Sequence, residues 1–145
     1  MNRVLALFRA LRPKQWSKNG LLLVAMIFAE RYSDSAALID VGVGIVVFCM
    51  LSSAGYLVND LRDVEQDRLH PEKKDRPIAS GSVSPSLAWV VVVLFILGGF
   101  GIGWYALNPG FFATAAAYLV TTLSYSMFFK HVPVLDVMGI AAGFI

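Results

Sequence analysis

From Ser35 to Val58 the chain is long enough to cross a bilayer and carries one formal charge, Asp40, near its start. Crossing takes about 20 mostly apolar residues as a helix. Hydrocarbon offers no partner for a backbone N–H or C=O, so the segment must satisfy its own backbone. Two further stretches, 85–106 and 110–129, meet that length. Pro85 suits a first helical position, with Ser84 as the cap before it. The apolar stretch 20–29 is shorter and spans only if its helix extends to about 19–33; a last run starts at Val132 and stops at Ile145, too short to cross. Composition agrees, with 15% charged residues where soluble domains carry about a quarter. The expected fold is therefore all-α, a multi-span transmembrane helical bundle. Cys49, the single cysteine, lies inside an apolar run and reads as a small buried hydrophobe. The opening MNRVLALFRALRPKQW has basic residues threaded through it and no small-residue cleavage site, unlike a cleavable signal peptide.

The cations sort by side. Arg3, Arg9, Arg12, Lys14 and Lys18 precede the first span; Arg62, Arg68, Lys73, Lys74 and Arg76 lie between the second and third; Lys130 follows the fourth; Arg31 is alone on the other side. The positive-inside rule then places the N-terminus, the segment 59–84 and Lys130 in the cytoplasm of a bacterial-type plasma membrane. In residues 2–11, Val4, Leu7, Phe8 and Leu11 share a helical face, as in a short helix lying in the interface. The expected organisation is an interfacial helix and lead-in over 1–18, spans at 19–33, 35–58, 85–106 and 110–129, a cytoplasmic segment at 59–84, and the start of a fifth span at 132–145.

The cytoplasmic segment opens NDLRDVEQD. If the second span continues as a helix at about 100° per residue, then relative to Asn59 the side chains of Asp60, Asp63 and Asp67 lie at about 100°, 40° and 80°. Three carboxylates on one arc repel one another, and the C-terminal end of a helix disfavours anions. That double penalty asks for a cation. Oxygen-only ligands select a hard ion, Mg²⁺ by default and Mn²⁺ as an alternative. Such an ion keeps positions for substrate phosphate oxygens, and Arg62, Lys73, Lys74 and Arg76 follow as anion-binding groups. Carboxylates beside cations read as a metal–diphosphate site; the bland alternative is a solvated loop whose charges only fix topology.

Polar side chains inside the spans point toward the same end. Ser52, Tyr56 and Asn59 recur at helical spacing in the second span, and Tyr118, Thr121, Thr122 and Tyr125 in the fourth. Facing lipid is costly for such groups, so they face a bundle interior, as substrate lining or as interhelical hydrogen bonds. Gly99 and Gly103, four apart in the GGFGIG run, allow either close helix packing or a bend.

Asn59-Asp60-x-x-Asp63-x-x-x-Asp67 resembles the first aspartate-rich motif, NDxxDxxxD, of the UbiA superfamily of membrane prenyltransferases. The continuation HPEKKDRPIASG, the opening RPKQWSKN and the stretch SYSMFFKH resemble further landmarks of that family, in order along essentially the whole chain. The resemblance is strongest to its decaprenyl-phosphate phosphoribosyltransferase members. It implies a Mg²⁺-dependent transferase moving 5-phosphoribose from phosphoribosyl diphosphate to a polyprenyl phosphate, a step toward arabinose donors for cell-wall polymers. It implies Asn59, Asp60, Asp63 and Asp67 as the metal and catalytic set, and Arg76, Lys130, Lys14, Lys18, Arg62, Lys73, Asn19 and Tyr125 as candidates for the phosphate groups. Two alternatives stand beside it: an aromatic prenyltransferase using a polyprenyl diphosphate, and an inactive fragment or non-catalytic membrane subunit. No nucleic-acid signature is present, because the cations follow the bilayer.

Members of the family have about nine spans and a second polar or acidic motif in the C-terminal half. Nothing in this chain matches that motif: Asp34 and Asp40 fall on the far side, and Asp136 stands alone in the unfinished run. The chain is expected to be an N-terminal half, truncated to about four to five helices, with weak metal and phosphate binding alone. His70, before Pro71, ends a helix near Leu69 and acts as a turn residue rather than a ligand. Trp16, Trp89 and Trp104 read as interfacial anchors, and Gly81 as the end of a turn.

Overall fold

The structure, a computed structural model, describes residues 2–129. All regular elements among the described residues are helical: α1 Arg3–Ala10, a 3-10 stretch Pro13–Gly20, α2 Leu21–Phe28, α3 Ser35–Arg62, α4 Val64–Leu69, α5 Pro85–Ala106, α6 Pro109–Ser124 and a π-helical turn Tyr125–Phe129. The expected run at 132–145, with Lys130 and Asp136, lies outside the described residues.

Local chemistry sets the ends. Asp34 caps α3, accepting from the amides of Ala36 and Ala37; the Arg31 guanidinium, 2.5 Å away, and those amides hold its carboxyl below the usual carboxylate range. Ser84 and Asn108 cap α5 and α6, each followed by proline at the first helical position. His70 is extended and closes α4 at Leu69, as the proline behind it requires.

The long helix α3 is the hub, packed most extensively on α5 and also on α6, α2 and the 3-10 stretch. At Gly99 a Cβ would lie 3.2 Å from Leu51 Cδ2, and at Gly103 it would meet the Phe111 ring at 3.5 Å. Both glycines are buried and α5 is unbroken through them, so they serve close packing rather than a bend. Val47, Leu51, Ala115 and Leu119 fill the α3–α6 contact. The outer face of α5 shows Val90, Val93, Leu94 and Leu97, each at least half exposed. Together α3 and α5 are the two helices long and apolar enough, by length and composition, to cross a membrane. The first apolar stretch is shorter than the expected span, with eight α-helical residues after eight of 3-10 helix.

Helix α1 divides its apolar residues. Ala6 and Ala10 are buried, with Leu7 and Leu11 against the same core cluster, while Val4, Leu5 and Phe8 are exposed. The single face expected from spacing is thus two faces, because the loop behind α4 folds back beneath α1. Ile78 and Val83 of that loop are 1% exposed and join Ala6, Ala10, Leu57 and Val58 in one cluster. A merely solvated loop would not bury them.

Candidate active site

The α3 backbone stays helical to Arg62, bends at Asp63, and resumes as α4, with the Asp63 amide still donating to the Asn59 carbonyl at 3.0 Å. Asp60 and Asp67 therefore remain on one side, and both are 3% exposed. Their cations come from elsewhere in the chain. Arg76 Nη1 donates to Asp67 Oδ2 at 2.7 Å and to Asp60 Oδ1 at 3.1 Å. Arg12 Nη2 donates to the same Asp60 oxygen at 2.6 Å, and its guanidinium lies 4.9 Å from the Tyr56 ring centroid. Two buried carboxylates, otherwise costly, are so neutralised by two guanidinium groups.

Burial of Ile78 and Val83 fixes the Arg76 side of this cluster, helped by Arg68 Nε donating to the Ala79 carbonyl at 3.2 Å. The Arg12 side rests on Trp16 Nε1, which donates to Ser53 Oγ at 2.9 Å, while that hydroxyl donates to the Leu11 carbonyl at 2.9 Å. Trp16 also meets Phe8 edge to face at 6.0 Å. Trp16 thus fastens the lead-in to α3.

Two cavities flank the cluster. One of about 310 Å³ is lined by Arg9, Arg12, Asp60, Glu72, Asp75 and Arg76, among others. The second, about 340 Å³, lies between α3 and α6 and is lined by Arg12, Ser52, Tyr56, Asn59, Tyr118 and Thr122, with Tyr125 and Ser126 closing it. The polar residues of both spans thus line a cavity, apart from Thr121, which is exposed. Asn59 Oδ1 accepts from Ser126 Oγ at 3.0 Å, and Arg62 Nη1 donates to the Ser126 carbonyl at 2.8 Å. The π-helical turn thereby ties α6 to the acidic segment; such turns recur at functional sites.

The predicted residues separate into groups. Asn59, Asp60, Asp67, Arg76 and Tyr125 border the two cavities or the ion cluster between them. Asp63 sits half-buried at the bend. Arg62 is spent on the Ser126 carbonyl, Lys73 is exposed in the turn after α4, Lys18 is exposed, and Asn19 Nδ2 donates to Cys49 Sγ at 3.2 Å. Cys49 is accordingly half-buried rather than fully packed away. Lys14 lines a different cleft, beside α1.

The cation that the acidic arc asks for is, in this structure, guanidinium. Among the described residues no three of His, Cys, Asp and Glu converge closely enough to hold a metal by themselves. The donor chemistry still fits Mg²⁺: Asp63 and Asp67, with the Asn59 amide oxygen, offer oxygen ligands only. Mg²⁺ commonly takes one or two carboxylates and completes its shell with water and substrate phosphate oxygens. Asp60 fits that role less well, because two arginines occupy one of its oxygens. Spacing around Asn59 did not single out Arg12 or Ser126. Both lie within the quoted stretches RPKQWSKN and SYSMFFKH, but only packing carries them to Asp60 and Asn59.

The helical bundle thus carries two helices long and apolar enough to cross a membrane and a buried carboxylate–arginine cluster between two cavities. Residues 20–145 match the UbiA prenyltransferase family, and the chain belongs to that family. It is 40% identical to a decaprenyl-phosphate phosphoribosyltransferase of Corynebacterium glutamicum over 95% of this chain and 42% of that protein. It is also 40% identical to the protein of that name from Mycolicibacterium smegmatis, over 99% of this chain and 46% of the relative. The nodulation protein NoeC of Azorhizobium caulinodans is 35% identical over 92% of this chain and 43% of its own length. The chain thus spans less than half the length of these relatives.

Proposed function

We propose that this chain forms the donor-binding part of a membrane transferase that moves 5-phosphoribose from phosphoribosyl diphosphate to a polyprenyl phosphate at the cytoplasmic face. The observation that carries this reading is the Arg12–Asp60–Arg76–Asp67 cluster beside two polar cavities. Each guanidinium spends one nitrogen on carboxylate and retains further N–H donors for phosphate oxygens. The relatives named decaprenyl-phosphate phosphoribosyltransferase support the choice of donor and acceptor.

Asp63, Asp67 and Asn59 would hold Mg²⁺, which supplies charge stabilisation to a departing diphosphate. Arg76 and Arg12 orient the diphosphate and neutralise its oxygens, with Asp60 positioning both guanidinium groups. Tyr56, Tyr118 and Tyr125 wall the inner cavity and limit water around an oxocarbenium-like anomeric carbon. The attacking lipid phosphate is already an anion, so the site requires no strong general base.

The test uses membranes containing the protein, with phosphoribosyl diphosphate labelled in the ribose. Labelled lipid should form with Mg²⁺, and fall about 100-fold or more with a chelator or in Asp67→Asn, as expected when a charge-stabilising group is lost. Full activity in Asp67→Asn sinks the metal role. Labelled product from a polyprenyl diphosphate and an aromatic acceptor, with none from labelled ribose, would instead support the prenyl-transfer reading suggested by the family's name. No product from either donor, with the protein folded, would support a non-catalytic part.

A further inference from the structure

Beside α1 and the 3-10 stretch lies a third cleft, of about 490 Å³, which the donor site does not use. Its lining is Leu5, Phe8, Arg9, Arg12, Pro13, Lys14 and Gln15: three cationic side chains over an apolar wall, with no carboxylate. The neighbouring 310 Å³ cavity differs, being lined by Asp60, Glu72 and Asp75 as well as by arginines. Phe8 and Leu5 are about half exposed, at 50% and 53%, and Val4 continues that apolar surface at 73%. A short helix of this kind lies with its apolar side chains among acyl chains and its basic groups at headgroup depth.

We propose that this cleft is a subsite for the phosphate head of a lipid phosphomonoester, with the first isoprenoid-like carbons against Leu5 and Phe8. A phosphomonoester carries nearly two negative charges at neutral pH and a phospholipid phosphodiester only one. Lys14 and Arg9 line the cleft beside Arg12, whose Nη2 is bonded to Asp60 outside it, and this cationic lining without a carboxylate favours the more highly charged head. Among the described residues no ion pair engages Lys14. Arg12 supplies the connection: it lines this cleft and both polar cavities. It does so from a left-handed backbone, φ 56° and ψ 57°, a conformation that a residue with a side chain adopts at some cost and that is held here by the surrounding contacts. A phosphate seated against Lys14 and Arg9 lies one side chain from the cluster that faces the donor. The subsite therefore holds an acceptor at the rim, and this assignment rests on the transferase reading for the acceptor's class.

The probe is radiolabelled geranylgeranyl phosphate, added to the chain in phosphatidylcholine nanodiscs. Saturable binding should weaken about ten-fold in the double variant Arg9→Gln, Lys14→Gln, and recover substantially when position 14 is Arg instead. Replacing part of the phosphatidylcholine with phosphatidylglycerol should compete only weakly. Unchanged binding in the double variant overturns the subsite, provided circular dichroism shows both proteins equally helical. Equal competition by phosphatidylglycerol also overturns it, leaving a general anionic-lipid surface. Phosphoribosyl diphosphate with Mg²⁺ is titrated separately, without lipid phosphate. Failure there with lipid binding intact counts against the donor site alone; the reverse pattern counts against this cleft alone.

Discussion

Asp60 and Asp67 look equivalent in the motif, yet their surroundings divide their tasks. Asp60 shares one oxygen between Arg12 and Arg76, whereas Asp67 is ion-paired with Arg76 alone among the described residues. On the proposed reading Asp60 positions two guanidinium groups, and Asp67 would offer its other oxygen to a metal. Asp60→Asn keeps the shape but removes the charge that gathers both arginines. It should destabilise the fold by about 1–3 kcal/mol, the range for a lost charged hydrogen-bond partner. It should also weaken phosphoribosyl diphosphate binding with Mg²⁺ about ten-fold or more. Chemical denaturation in detergent and direct titration measure the two effects; wild-type values in both remove Asp60 from the site. The sequence pattern located this carboxylate but could not identify its partners. Arg12 stands 48 positions away, and by itself counted only as a charge on the cytoplasmic side.

At the scale of elements, the α3–α5 seam depends on missing side chains. Leu51 packs against Gly99 closely enough that an added Cβ would stand 3.2 Å from its nearest methyl. Gly99→Val should push the two helices apart and cost about 1–3 kcal/mol, as overpacking does in tight cores. A lowered thermal midpoint in detergent checks this, and an unchanged midpoint would mean the seam is loose. Spacing had left the glycine pair open between packing and bending, and the unbroken α5 settles it for packing. Helix α1 shows the opposite limit of pattern reading. Val4, Leu7, Phe8 and Leu11 share a face by periodicity, but the loop carrying Ile78 and Val83 covers part of it and leaves Phe8 outside.

For the whole molecule, the sided distribution of Lys and Arg remains the basis for orientation. In a Cys49→Ser background, Lys73→Cys should react with an impermeant maleimide only when the cytoplasmic face is opened. Tyr32→Cys, 59% exposed in the native residue, should react in intact cells. Reversed labelling would invert the proposed topology and put the donor site on the wrong side for a cytoplasmic sugar phosphate.

Apolar run length, the cap at Ser84, and the arc of Asn59, Asp60, Asp63 and Asp67 are matters of local geometry, and they are readable from residue order alone. Helix periodicity and the cost of an unsatisfied backbone in hydrocarbon leave few other solutions. Which cation answers the buried carboxylates, where the loop after α4 goes, and how Arg12 comes to join three cavities are different in kind. Each depends on segments distant in sequence meeting in space, where burial turns a modest charge pattern into a strong demand for particular partners. Tertiary packing alone decides that, because desolvation acts only once the chain has closed around the group.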